Sequence, residues 1–214
     1  MKSHLRLITS LHKIIKLYEE GTVFCAFDTE TSGIKTDCDH IIEIGGVKFT
    51  KEGVIDTYSS LINLKEPLSP FIINLTGITD KELSVAPSVQ KVIPEFMAFA
   101  GNSVFIAHNA QFDLRFLNSE LERLEQSEIK NECIDTLRLS RLMLPENKTW
   151  KQTSLASQFN IDTTHAHRAF DDAKVCAELF KILIKLPVPC RKKKISLAEP
   201  LQGQLVDHFG TPSG

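Results

Sequence analysis

No apolar run in the 214-residue sequence approaches the ~18 residues of a membrane-spanning helix, so no membrane association is expected. The opening residues, Met1-Lys2-Ser3-His4-Leu5-Arg6, lead into an amphipathic pattern and lack the unbroken apolar core of a signal peptide. Cysteine is sparse and odd in number. Cys25, Cys38, Cys133, Cys176 and Cys190 are scattered, with no Cys-x-x-Cys pair. That excludes a disulfide framework and a thiolate zinc site, and it points to a reducing cytoplasm. Neither sign of charge dominates: 25 basic and 27 acidic residues leave a net charge of −2. No global field therefore attracts nucleic acid, and any such binding must use local basic groups. Internal repeats are also absent. What remains is an ordinary globular composition, 42% hydrophobic and 24% charged, at a length that suits one domain with a full core.

The chain is organised around Val23-Phe-Cys-Ala-Phe27-Asp28-Thr29-Glu30-Thr31-Ser32-Gly33. Five apolar residues, two of them aromatic, run into Asp28 and Glu30 ahead of a Ser-Gly turn, which reads as a buried central strand. Positions i and i+2 of a strand share a face, roughly 6–7 Å apart. Two carboxylates so placed repel each other unless a cation lies between them, and hard oxygen ligands suit Mg²⁺ or Mn²⁺. The spacing alone decides little, because Asp80-Lys81-Glu82 repeats it. That second pair follows Thr76-Gly-Ile-Thr79 and reads as the acidic first turn of a helix.

Leu5, Leu7, Ile8, Leu11, Ile14, Ile15 and Tyr18 predict an amphipathic helix over residues 4–19. Strands over 40–50 and 54–64, joined by a turn at 51–53, continue the central strand as an antiparallel meander. Pro67 and Pro70 mark a loop. A helix over 85–100 has Pro87 in its first turn and Gly101 as its stop. A short strand at 103–107 precedes a helix to about residue 125. A brief strand at 133–135 leads into a helix ended by Pro145. A small helix over 154–159 and a long one over 169–184 follow. The expectation is an α/β fold, a mixed sheet flanked by helices. It divides into an N-terminal helix packed on the domain (1–20), a main domain (21–186) and a basic, Pro-containing tail (187–214).

Asp113 falls in the first turn of a helix just after a buried strand, where α/β proteins place ligands. Helix capping would explain it equally well were it not for His108 and Asn109 close behind the same strand. Asp172 lies in another acidic first turn, beside Asp171. His167 and Asp172 would point roughly 140° apart on one continuous helix, so both reach one site only if His167 stands in the loop before it. His108 and Asp113 share the same spacing and keep His108 as an alternative. His165 reads as a solvated loop residue and Trp150 as a packing residue.

Asp28-Thr-Glu-Thr-Ser-Gly33, His108-Asn-Ala-Gln-Phe-Asp113 and His167-Arg-Ala-Phe-Asp-Asp172-Ala together resemble the three motifs of the DEDDh 3′→5′ exonucleases, in order. The likeness is strongest to proofreading epsilon subunits of bacterial DNA polymerase III, and runs from about residue 23 to 183. The tyrosine-bearing sister group does not fit, since Tyr18 and Tyr58 are the only tyrosines. The resemblance implies a ribonuclease-H-like fold. Asp28, Glu30, Asp113 and Asp172 would hold two divalent cations, Mg²⁺ or Mn²⁺, with His167 as general base. Such a pair stabilises attacking and leaving oxygens of an in-line displacement, and imidazole titrates near neutrality. It further implies that Thr31, Thr76, Ile78, His108, Asn109 and Phe112 contact substrate. The expected substrate is a single-stranded or frayed DNA 3′ end, with a replicative polymerase subunit as a partner. RNA trimming is the alternative, because the motifs do not read the 2′-hydroxyl. A non-catalytic binding subunit is a further one. Gln204-Leu-Val-Asp-His-Phe209 loosely resembles sliding-clamp-binding peptides, but Asp207 breaks the apolar pattern.

Overall fold

The computed structural model of the protein describes residues 5–164 and 167–189. At its centre lies β1 (Phe24–Thr31), buried almost throughout, as the apolar run leads one to expect. β2 (Ile41–Thr50) pairs with it antiparallel on one side, and β4 (Val104–Ala107) pairs parallel on the other. β3 (Gly53–Leu61) extends the meander beyond β2, and β5 (Cys133–Asp135) extends the parallel half beyond β4. The sheet order is β3-β2-β1-β4-β5, the mixed sheet expected. Among the described residues no helix is long and apolar enough to cross a membrane.

Strand alternation divides the interior into two cores. Phe24 and Ala26, with Val47 and Phe49, face a core closed by α8 (Ala169–Leu183). Cys25 and Phe27 face the other, closed by α4 (Val89–Ala100) and α5 (Gln111–Arg123). Phe180 of α8 lies with its ring centroid 5.2 Å from Phe24 and 6.1 Å from Phe49. On the opposite face Phe27 meets Phe105 at 4.8 Å and Phe96 at 5.8 Å. The period of two then assigns Asp28 and Glu30 to the α8 face, and Thr29 to the α5 face. Across the ladder, Asp28 pairs with Gly45 and Glu30 with Glu43. Gly45 admits α8 to the sheet, since a Cβ there would stand 2.3 Å from the Phe170 nitrogen and 2.4 Å from its Cα.

Several expected boundaries move. The N-terminal helix is only α1 (Leu11–Glu19), because the Ser10 hydroxyl accepts the Lys13 N–H and caps it there. Upstream, Ile8 N–H and the Arg6 carbonyl bond to Cys133. The unpaired edge of β5 takes up that segment. Pro70 does not mark a loop. It opens α2 (Pro70–Thr76) behind the Ser69 cap, where the missing N–H has no partner to lose. The helix expected over 85–100 begins at Val89 after the Ser88 N-cap, and Val85 instead closes α3 (Asp80–Ser84). Asp80 and Glu82 are indeed first-turn acids, with a capping box between Thr79 and Glu82. α6 (Thr136–Met143) and α7 (Gln152–Gln158) complete the α8 side. Trp150 packs there, its indole N–H donating to the Leu144 carbonyl at 3.0 Å. His165, the basic run at 191–194 and the segment 204–209 lie outside the described residues.

Gly45→Ala should force α8 off the sheet at its first turn. Overpacking of this kind costs about 1–3 kcal/mol, or roughly 2–12 °C in Tm for a domain of this size. Thermal melting followed by circular dichroism measures it, and an unchanged Tm would show that the helix yields without cost.

Candidate active site

The end of β1 and the start of α8 bring three acids together. Asp28, Glu30 and Asp172 each place a carboxylate oxygen so that all three lie within 4.8 Å of one another. Asp172 is delivered by the first turn of α8, which Gly45 lets approach β2 beside Asp28. Its Oδ2 accepts the backbone N–H of His167 at 2.9 Å. Its Oδ1 accepts from the Gln152 amide at 3.2 Å, and the same amide donates to the Asp172 carbonyl at 3.0 Å.

Burial and mutual repulsion load this cluster electrostatically. Burial raises the Asp28 carboxyl well above its ordinary range, and the charges of Asp113, Asp172, Glu30 and Glu43 push it further. Burial lifts Glu30 from 4.5 to about 8, helped by Asp172, Glu43 and Asp113, with Arg168 pulling the other way. Asp172 is also raised by burial, against the stabilising His167 N–H and the nearby imidazole. Without a cation, burial and repulsion therefore favour the protonated form of Glu30. An all-oxygen set of repelling carboxylates fits a hard divalent ion.

Asp113 does not belong to the 4.8 Å set. It approaches from the α5 face, where its Oδ1 accepts the Thr29 N–H at 3.1 Å and the Thr29 hydroxyl at 2.7 Å. Burial raises it to about 7, with the Thr29 donors opposing. Its charge is nevertheless the strongest of those acting on Asp28. The expectation of four converging acids thus becomes three plus one reached through β1.

His167 sits off the helix, exposed, with φ +67° immediately before the Arg168 N-cap of α8. The angular conflict with Asp172 is removed as expected. His108 is turned inward: Nε2 lies 2.9 Å from the Trp150 carbonyl and Nδ1 3.0 Å from the Thr136 hydroxyl. Both ring nitrogens are engaged in the interior. Thr76 and Ile78 also have their partners there. The Thr76 hydroxyl donates to the Ile72 carbonyl and accepts the Ile78 N–H, and Ile78 fills a small core with Ile42, Leu68, Ile72 and Leu83. Phe112 is buried against Phe116 at 5.0 Å. Asn109 takes φ +67° and donates its N–H to Asp135 at 3.2 Å. Thr31 follows a register shift after Glu30, its hydroxyl donating to the Gly33 carbonyl at 2.6 Å.

Two residues to which the sequence assigned no role, Glu43 and Arg168, stand beside the acids. Glu43 is 2% exposed and holds the Arg168 guanidinium. The signal was available, because one acid inside the apolar run Ile41-Ile-Glu-Ile44 has to be paired if the strand is buried.

Residues 25–180 match the RNase_T exonuclease family model. A DNA polymerase III PolC-type of Caldanaerobacter subterraneus subsp. tengcongensis is 42% identical over 164 residues, 76% of this chain and 12% of that protein. The DNA polymerase III subunit epsilon of Treponema pallidum is 38% identical over 167 residues, 77% of this chain and 78% of that one. Among solved structures, exonuclease X in complex with 5′ overhanging duplex DNA aligns with a TM-score of 0.62 at 26% identity, over 75% of this chain and 90% of that chain. This chain thus spans only a small fraction of the PolC-type relatives and most of the epsilon relative.

A carboxyl whose folded pKa exceeds its unfolded value binds more protons folded than unfolded, so stability falls as pH rises through that window. For Glu30 and Asp113 the window spans the rise from 4.5 to about 8 and from 3.8 to about 7. The chelator-treated protein should therefore lose Tm between those limits. Mn²⁺ at about 100 times its Kd should add ~2.7 kcal/mol, roughly 5–11 °C. Differential scanning fluorimetry across pH, with and without Mn²⁺, checks both. A Tm that rises through this window in chelator would refute the electrostatic account.

Proposed function

The chain belongs to this exonuclease family, and we propose that it hydrolyses phosphodiester bonds from DNA 3′ ends, one nucleoside 5′-monophosphate at a time. The observation that carries this is the meeting of Asp28, Glu30 and Asp172 within 4.8 Å at the end of a buried strand. Together with Asp113, these residues would hold two divalent cations, Mg²⁺ or Mn²⁺. Bound there, the ions would neutralise developing charge and acidify the attacking water. His167, exposed on its loop beside Asp172, takes the proton from that water, a role worth about 10²–10⁴ in rate. Its place outside the helix leaves the imidazole free to receive that proton and release it to solvent.

The terminal nucleotide lies against the β1 end, with its 3′-hydroxyl near Glu30 and the Thr31 backbone, and Asn109 beside it. Single-stranded or frayed ends suit a chain of near-neutral net charge, −2. The epsilon and PolC-type relatives support a proofreading role beside a replicative polymerase in the cytoplasm. Residues 21–186 would form the catalytic unit, with the helix before it packed on it.

Matched 5′-labelled DNA and RNA oligonucleotides, with and without chelator, test this reading. Asp28→Asn and Asp172→Asn should abolish digestion in Mg²⁺ while retaining the circular dichroism of the fold. Persistent digestion by either variant would overturn the metal assignment. His167→Ala should lower kcat by about 10²–10⁴ and retain cation affinity. Faster loss of the RNA substrate would make this an RNA-trimming enzyme, and no digestion of either would leave a binding subunit.

A further inference from the structure

We propose that Glu43 and Arg168 form a positioning pair that fixes the His167 turn beside Asp172; the proposal rests on the reading of His167 as the general base. Glu43 is a buried carboxylate whose oxygens are spent on one short segment. Arg168 Nε donates to Oε1 and Oε2 at 3.1 Å each, and Nη2 to Oε1 at 2.7 Å. The Ala169 N–H donates to Oε2 at 3.0 Å. Arg168, the N-cap residue of α8, makes no side-chain cap of its own. Glu43, from a strand across the sheet, takes over the capping.

Helix stability alone does not explain this choice. The Glu43 carboxylate alone satisfies the helix N-terminus by accepting the Ala169 N–H, with no need of an arginine fork, and α8 is already anchored by Phe180 and by the close approach at Gly45. What the pair adds is control of the residue before it. His167 has a left-handed backbone, which a non-glycine residue keeps only where its surroundings over-determine it. Its own N–H is held by Asp172 Oδ2 at 2.9 Å. On its other side the chain is held by the Arg168 fork and the Ala169 N–H on Glu43. The peptide carrying the imidazole is thus gripped at both ends. The planar fork matters because lysine would supply the charge without the paired geometry.

Backbone ¹⁵N relaxation on the metal-free full chain tests this directly. At His167 the order parameter should be near ~0.85 in the wild type and below ~0.6 in Arg168→Ala and Glu43→Gln, while the amides of Val175 to Phe180 keep wild-type values. In Mg²⁺, Arg168→Ala should lower kcat by roughly 10- to 100-fold, the loss that misplacement by about 1 Å brings, with KM for a DNA oligonucleotide unchanged. Arg168→Lys should recover part of that loss. In a His167→Ala background the same substitution should cost under about twofold, because both changes act through one group. An unchanged order parameter, an equal loss in both backgrounds, or a rise in KM with kcat held would each overturn the proposal. The last of these would make Arg168 a phosphate contact instead. Wild-type turnover by His167→Ala alone would defeat the general-base reading separately, leaving the order parameter to decide the pair.

Discussion

Burying mutually repelling carboxylates at the end of one strand is the constraint on which this structure turns. Asp28 resists ionisation from two causes at once, lost solvation and the charges of four neighbouring acids. Apolar packing brings those acids together. Phe24, Phe49 and Phe180 form one aromatic group on the α8 face, and full burial of one such side chain is worth about 1.5–3 kcal/mol. The apolar half of α8 docks there, and its polar first turn is carried onto the acids by helix geometry. Gly45 removes the one steric obstacle on that path. Non-directional burial thus sets the position of directional chemistry.

The two faces of β1 contribute unequally. Asp28 and Glu30 share the α8 face with Asp172, whereas Thr29 points to α5 and fixes Asp113 with two hydrogen bonds. Asp28 therefore feels both sets, with Asp113 the strongest of the charges acting on it, and Glu30 feels them too. Thr29, unremarkable as the middle residue of Asp-Thr-Glu, holds the fourth acid beside the strand while the donors it offers keep that acid's pKa from rising further.

Much of this was legible in the sequence, and what was not has a common cause. The central strand, the meander and the shared face of Asp28 and Glu30 follow from local patterns: an apolar run ending in acids, turn residues, and the period of two; that Asp172 joins them was only what the family resemblance implied. Angular geometry gave the condition under which His167 and Asp172 could share a site, namely that His167 stand off the helix, and there it stands. Local patterns cannot say which way a polar side chain turns once the chain closes. His108 heads its motif yet satisfies the interior, because its partner Trp150 becomes a neighbour only in the fold. Glu43 and Arg168 join elements at opposite ends of the domain. Ser10 and the edge of β5 shorten the first helix in the same way, by offering backbone partners that periodicity does not reveal.

The chain order of the ligands carries a consequence for how the site forms. Asp28 and Glu30 are supplied together by β1, but two acids on one strand face, roughly 6–7 Å apart, make a poor grip on a cation in water. The third arm, Asp172, comes with α8, the last helix among the described residues, which Phe180 and Gly45 seat on the sheet. A chain lacking that docking presents repelling charges and no chelate. On the proposed metal reading, cation affinity and completion of the α8 face would be one event, since the ion would select a state that burial builds and repulsion opposes. The positioning of His167 belongs to the same event, because Asp172 holds its N–H with the very carboxylate that closes the cluster.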